Sequence, residues 1–115
     1  MKVPNNDRAY IPIEKIRDYL LSTSHPIGRS KAVFFNKIGY NNERIDLLSK
    51  ELGRIIQENE VDKEISTIYG NKYLVKGNIG SMFKKVIPIV TVWIIEKEDS
   101  VPRFVTAYPL NEAVW

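Results

Sequence analysis

A single histidine, His25, stands in a chain of 115 residues that has no cysteine. It is the one side chain here whose ordinary pKa lies near neutrality, which makes it the natural candidate for proton transfer. Pro26 follows it and holds its backbone extended, away from helical hydrogen bonding. Just downstream, Gly28-Arg29-Ser30-Lys31 supplies two cations and a hydroxyl. A nucleotide phosphate loop needs a glycine five positions before a Gly-Lys pair, and a strand before that; neither is present, which argues against triphosphate binding. A simpler use remains. With Ser30 as a helix cap, the first free N–H groups of that helix and Lys31 form an anion site for one phosphate, with Arg29 beside it. Far downstream, Thr91, Thr106 and Tyr108 carry hydroxyls suited to positioning a phosphate or stabilising its charge. Lys72 and Arg103 add cations for phosphate contact. Each residue also has a plain structural use. His25 can order its loop, Lys31 can be a solvated lysine on a capped helix, and threonine and tyrosine are ordinary strand formers. Arg103 can pair with Glu96 or Asp99, and Trp93 fits a core.

The elements that hold these residues can be read from periodicity. Residues 1–10 read as a flexible lead, with turn-forming Asn5, Asn6 and Asp7. Residues 11–63 read as mainly helical. Pro12 suits a first helical turn, and Ile13, Ile16 and Leu20 follow at helical spacing until Ser22-Thr23-Ser24. A second short helix after Ser30 groups Ala32, Phe35 and Ile38 and ends at Gly39. Asn41 or Asn42 caps a third helix with an apolar stripe of Ile45, Leu48, Leu52, Ile55 and Ile56, which ends near 59–63. Residues 65–109 read as mainly antiparallel strands, with a bend or bulge expected at 77–80. Pro88 belongs at an edge, a bulge or the start of its strand. Alternation groups Thr91 with Trp93, and Phe104 with Thr106 and Tyr108. Helices first and sheet after predict one α+β domain over 1–115, its helices packed on a twisted antiparallel sheet.

Composition narrows the function classes. The apolar fraction of 43% is ordinary for a globular chain. No stretch approaches the roughly 20 apolar residues of a membrane span, so no membrane partner is expected. With one histidine and no cysteine, a zinc site of the usual ligands is not expected, nor is any metal or other cofactor. The lack of cysteine and of an apolar signal core at the start suggests a cytoplasmic location. The net charge of +3 is uneven: no Asp or Glu lies between Asp18 and Glu43, or between Glu64 and Glu96. Clustered cations of this kind suit a polyanion such as RNA, although they also suit a solvated face.

The order of short motifs resembles that of small bacterial domains of uncharacterised function (DUF6883-like), found alone and at the C-termini of polymorphic toxins. The motifs are Ile11-Pro12, Tyr19-Leu20-Leu21, His25-Pro26, Gly28, Ser30-Lys31 and Phe34-Phe35. They continue with Tyr69-Gly70-Asn71-Lys72-Tyr73, Thr91-Val92-Trp93 and 102–109, so that the resemblance runs from about Ile11 to Pro109. The helices-then-sheet order also looks like the barnase, EndoU, colicin D and RelE group of metal-independent ribonucleases. That resemblance implies attack of an RNA 2′-hydroxyl on the adjacent phosphate. It implies His25 for acid or base work, Lys31 for the phosphorane charge, and Thr91, Thr106 and Tyr108 for phosphate positioning. EndoU-like sites carry two histidines and a lysine, so a second proton-transfer group is wanted here: Lys31, Tyr108 or the substrate. The implied partners are RNA, with tRNA among the candidates, and a cognate acidic immunity or antitoxin protein. The alternative is a non-catalytic protein- or nucleic-acid-binding module of such a system. Convergence of His25, Lys31, Thr91 and Thr106 on one cleft separates the two.

Overall fold

The structure, a computed structural model, describes residues 1–22, 29–81 and 84–110. His25 lies outside them, as do the side chains of Arg29 and Ser30. After Pro12, helix α1 makes one turn over Ile13–Lys15 and continues with wider π-helical winding through Ile16–Leu20. Ile16 and Leu20, four apart, share its buried side. Helix α2 spans Arg29–Lys37. Ser30 therefore sits inside its first turn and is not the cap expected from the sequence. Gly39 ends the helix region at φ 108°, where Tyr40 N–H donates to Phe35 O (2.8 Å) and Gly39 N–H to Asn36 O (3.1 Å). This pair of bonds satisfies the last carbonyls, and glycine adopts the required φ without a Cβ penalty. Asn41 Oδ1 accepts from Glu43 N–H (2.9 Å) and opens the turn that leads into helix α3, Ile45–Glu58. Leu48, Leu52, Ile55 and Ile56 of α3 are fully buried, as their stripe predicts.

Strands β1 (Lys63–Thr67), β2 (Gly70–Gly80), β3 (Val86–Glu96) and β4 (Arg103–Pro109) form one antiparallel sheet in sequence order. The chain is thus α+β, and the core lies between the helices and one sheet face. That face contributes Tyr73, Val75, Ile79, Ile89, Trp93, Phe104 and Ala107. Gly77 pairs regularly with Ile89 and makes no bulge. Its role is close approach, since a Cβ there would meet Ile55 Cγ2 of α3 at 2.6 Å. Pro88 is the third residue of β3, beyond the last β4 pair, Ile89 with Pro109.

Two expectations are corrected. The irregularity in the sheet lies further on, where Val92 pairs with Thr106 but Trp93 pairs with Phe104, leaving Val105 as the extra residue of a β-bulge. Phe104 therefore faces the core with Ala107, while Thr106 and Tyr108 face the other way instead of sharing its side. The segment 1–10 is also tied down. Val3 is buried in the core, and Val61 N–H donates to Met1 O (2.7 Å). Tyr10 pairs in parallel with Arg103, through Tyr10 N–H to Pro102 O and Phe104 N–H to Tyr10 O, both 2.8 Å. These bonds occupy the start of the β4 edge, just before α1 begins.

Candidate functional site: a tyrosine and two lysines at the sheet edge

The sheet face away from the core carries an apolar row on β3: Val90, Val92 and Ile94. In register beside it stand Lys76, Leu74 and Lys72 of β2, and Tyr108, Thr106 and Arg103 of β4. The row itself is buried, at 5–8% exposure, so the surface of this face is made by the flanking cations and hydroxyls.

At the β4 edge the helices add their own groups. Lys31 of α2 donates through Nζ to the Tyr19 hydroxyl at 2.7 Å. Lys31 Nζ also stands 5.2 Å from the Tyr19 ring centroid, and Lys15 Nζ stands 4.7 Å from it. Both lie within the range in which an aromatic face attracts a cation. Lys15 and Tyr19 are four apart, a spacing that brings side chains on one helical face together. Burial pushes the Tyr19 phenol up. Hydrogen bonding from Lys31 and the Thr106 hydroxyl, with the charges of Lys31 and Lys15, outweighs that and sets its pKa below the ordinary value. Thr106 Oγ1 is itself buried and makes no hydrogen bond of regular geometry among the described residues. Its effect on Tyr19 is accordingly that of a close polar neighbour and not of a formed bond. Among the described residues Lys15, Lys31 and Lys72 form no ion pair, whereas Lys76 pairs with Asp62 (3.4 Å) and Arg103 pairs with Glu96. The uncompensated cations face one region.

A cavity of about 340 Å³ adjoins this group. Its walls are Lys15, Tyr69, Lys72, Glu96 and Arg103, and its floor is Ile94 and Val105. Lys15 belongs to both the cavity and the tyrosine cluster.

The structure thus brings Lys31 and Thr106 together around Tyr19. Lys72 and Arg103 line the adjoining cavity, and Tyr108 stands on the same face as Thr106, two residues along. Thr91 is elsewhere. It is fully buried on the core side, accepts from Trp93 Nε1 (2.8 Å) and donates to Val75 O (2.8 Å). With its hydroxyl spent on a buried indole and a strand carbonyl, it supports the core and offers no surface to a ligand. His25 lies outside the described residues, as do the side chains of Arg29 and Ser30. Sequence reasoning did not assign a role to Tyr19 or Lys15. Their i, i+4 spacing was the available signal; the Lys31 contact that gives it meaning is tertiary. Among the described residues no cluster of three or more His, Cys, Asp or Glu forms a metal-ligand set. No helix among them is long and apolar enough to cross a membrane.

Fold and site together define a small α+β domain with helices on one sheet face and cations along β2 and β4 on the other. The chain belongs to the family described as "Domain of unknown function (DUF6883)", whose profile matches residues 2–111. Among solved structures it is similar to a chain of a contact-dependent growth inhibition toxin–immunity protein complex from Klebsiella pneumoniae 342. The TM-score is 0.69 and the sequence identity 17%, with 93% of this chain and 97% of that chain covered. At that identity the likeness is one of fold. No curated protein matches the chain.

Proposed function

We propose that this domain is a toxin-type, metal-independent endoribonuclease that cleaves RNA by attack of a 2′-hydroxyl on the adjacent phosphate. The observation that carries the reading is the Lys31–Tyr19 hydrogen bond beside Thr106, which joins a proton donor, a cation and a spare hydroxyl at one point. In the proposed reaction a base, assigned to His25, removes the 2′-hydroxyl proton. The 2′-oxygen then bonds to phosphorus, the bond from phosphorus to the 5′-oxygen breaks, and the leaving 5′-oxygen takes a proton from Tyr19. Lys31 and Lys15 stabilise the resulting phenolate, and Lys31 faces the negative charge that gathers on the phosphorane oxygens. The Thr106 hydroxyl, buried beside Tyr19, is a polar neighbour that holds the phenol in place. Tyr19 fills the place of the second proton-transfer group, Lys72 and Arg103 line the adjoining cavity where the RNA chain continues, and Tyr108 extends the polar row of β4.

The fold neighbour is a complex of a toxin with an immunity protein, and a domain of either kind would act within such a pair. The excess of cations favours the toxin side, because an RNA-cleaving surface needs them while the protein that covers it needs carboxylates. A cognate acidic immunity protein is therefore part of the proposal, as is action in the cytoplasm of the cell that receives or makes the domain.

Expression tests this reading. Wild-type chain made without a neutralising protein should arrest growth and fragment cellular RNA, and an equally abundant Lys31→Met chain should not. Healthy growth with intact RNA at high levels of soluble wild-type protein would overturn the toxin reading. Arrest by both chains would remove Lys31 from the mechanism.

A further inference from the structure

We propose that the cavity beside Lys15 is a base-binding subsite for guanine, so that the enzyme cuts RNA next to a guanosine; this rests on the ribonuclease reading above. The first observation is Tyr69. Its side chain is 71% exposed, yet its backbone is fixed at both ends of the peptide unit. Its N–H donates to Thr67 Oγ1 (3.1 Å), and its carbonyl accepts from Lys97 N–H (3.0 Å). Gly70 then enters β2 at φ 143°, against the backbone of Ile95. An aromatic ring held out on a fixed turn loses little entropy when a flat base stacks on it, and stacking on such rings recognises single-stranded RNA.

The second observation is Glu96. Arg103 donates through both Nε and Nη2 to Glu96 Oε1, which fixes the carboxylate and leaves Oε2 without a partner among the described residues. A fixed carboxylate in the wall selects among bases. Guanine presents two adjacent donors, N1–H and the 2-amino group, to such an acceptor, with O6 beside them for an ammonium. Adenine and cytosine place a ring-nitrogen lone pair there, and uracil flanks its single N–H with two carbonyls; all three meet repulsion. Lys72 supplies the ammonium for O6.

The third observation is Lys15, which lines the cavity while its Nζ stands over the Tyr19 ring. A nucleotide with its base on Tyr69 would extend its phosphate past Lys15 towards Lys31. Base recognition and bond cleavage thereby become neighbouring steps along one strand.

The test is binding of 3′-GMP, 3′-AMP, 3′-CMP and 3′-UMP to the full chain, followed by calorimetry and by chemical shifts. Because it needs no turnover, it is independent of whether the chain cleaves RNA. The wild type should bind 3′-GMP about tenfold more tightly than the other three, a preference of the size a paired donor set gives. Tyr69→Ala should weaken 3′-GMP binding about tenfold or more, as loss of a stacking platform does. Glu96→Gln should abolish the preference, with circular dichroism confirming that the variant is folded. Equal affinity for the four nucleotides would overturn the proposal, as would unchanged binding in Tyr69→Ala. A Tyr69→Ala chain that keeps 3′-GMP affinity but loses a protein partner would reassign the turn to a protein interface. RNA cleavage that depends on Tyr19 but shows no guanosine preference would refute this subsite and leave the ribonuclease reading standing. Selective 3′-GMP binding without cleavage would do the reverse.

Discussion

Tyr19→Phe, which removes one oxygen and keeps the ring, is expected to slow RNA cleavage by about 10²- to 10⁴-fold, the usual worth of a positioned proton donor. The ring still packs beneath Lys15 and Lys31, so folding should be little changed and the loss should appear in the rate. The pH profile adds a second readout. A phenol acts as the acid only while protonated, so wild-type activity should fall on the alkaline side as Tyr19 ionises. The neighbouring cations lower its pKa and bring that fall to lower pH than an isolated phenol would show. Tyr19→Phe should lack this limb. Lys31→Met should lower the rate by about 10²- to 10³-fold through loss of charge stabilisation. With its cation gone, the phenol should ionise later and the limb should move to higher pH. A Tyr19→Phe enzyme with the wild-type rate and profile would show that another group protonates the leaving oxygen. Single-turnover rates across pH, measured for the three proteins, decide the matter.

Gly70→Ala carries the largest expected effect on stability. Gly70 sits at φ 143°, which side-chain-bearing residues rarely adopt, and a Cβ there would lie 2.2 Å from Ile95 O and 2.7 Å from Glu96 Cα. Those are backbone atoms of β3, in register with β2 at this point, and cannot move aside as a flexible side chain can. The substitution combines an incompatible φ with a clash, and should cost about 3 kcal/mol or more. In urea this moves the unfolding midpoint down by about 1–2 M. A shift below about 0.5 M would mean that β2 can leave β3 at this point without loss, and that the turn carrying Tyr69 is not fixed.

Much of the architecture was legible in the sequence, because it rests on local rules. The stripe from Leu48 to Ile56, the Gly39 terminus and the β-branched runs of β3 and β4 each encode their element within a few residues. The site was legible only in part. Lys31 and Thr106 stood out as chemical groups, but Tyr19, which they meet, reads as one more aromatic on a helix until the tertiary contact is known. The bulge at Val105 was hidden because an inserted residue leaves no mark when the whole run is apolar or β-branched. It reverses the side on which Thr106 sits relative to Phe104, and so alternation alone misplaced that strand's faces. Thr91 illustrates the opposite limit. Its hydroxyl looks available in the sequence, and only the packing of Trp93 over it shows that the oxygen is already in use.

The proposed reaction is strand cleavage by the RNA's own 2′-hydroxyl at the Tyr19–Lys31 cluster. The most direct measurement incubates purified chain with a pool of tRNA and single-stranded RNA in excess EDTA, and identifies the new 3′ ends. The expected products are 2′,3′-cyclic phosphate ends, formed without added metal, with no cutting where the nucleotide 5′ to the scissile phosphate is 2′-deoxy. Ends bearing 3′-hydroxyls, cleavage restored only by added metal, or cutting of the 2′-deoxy substrate would contradict that reaction.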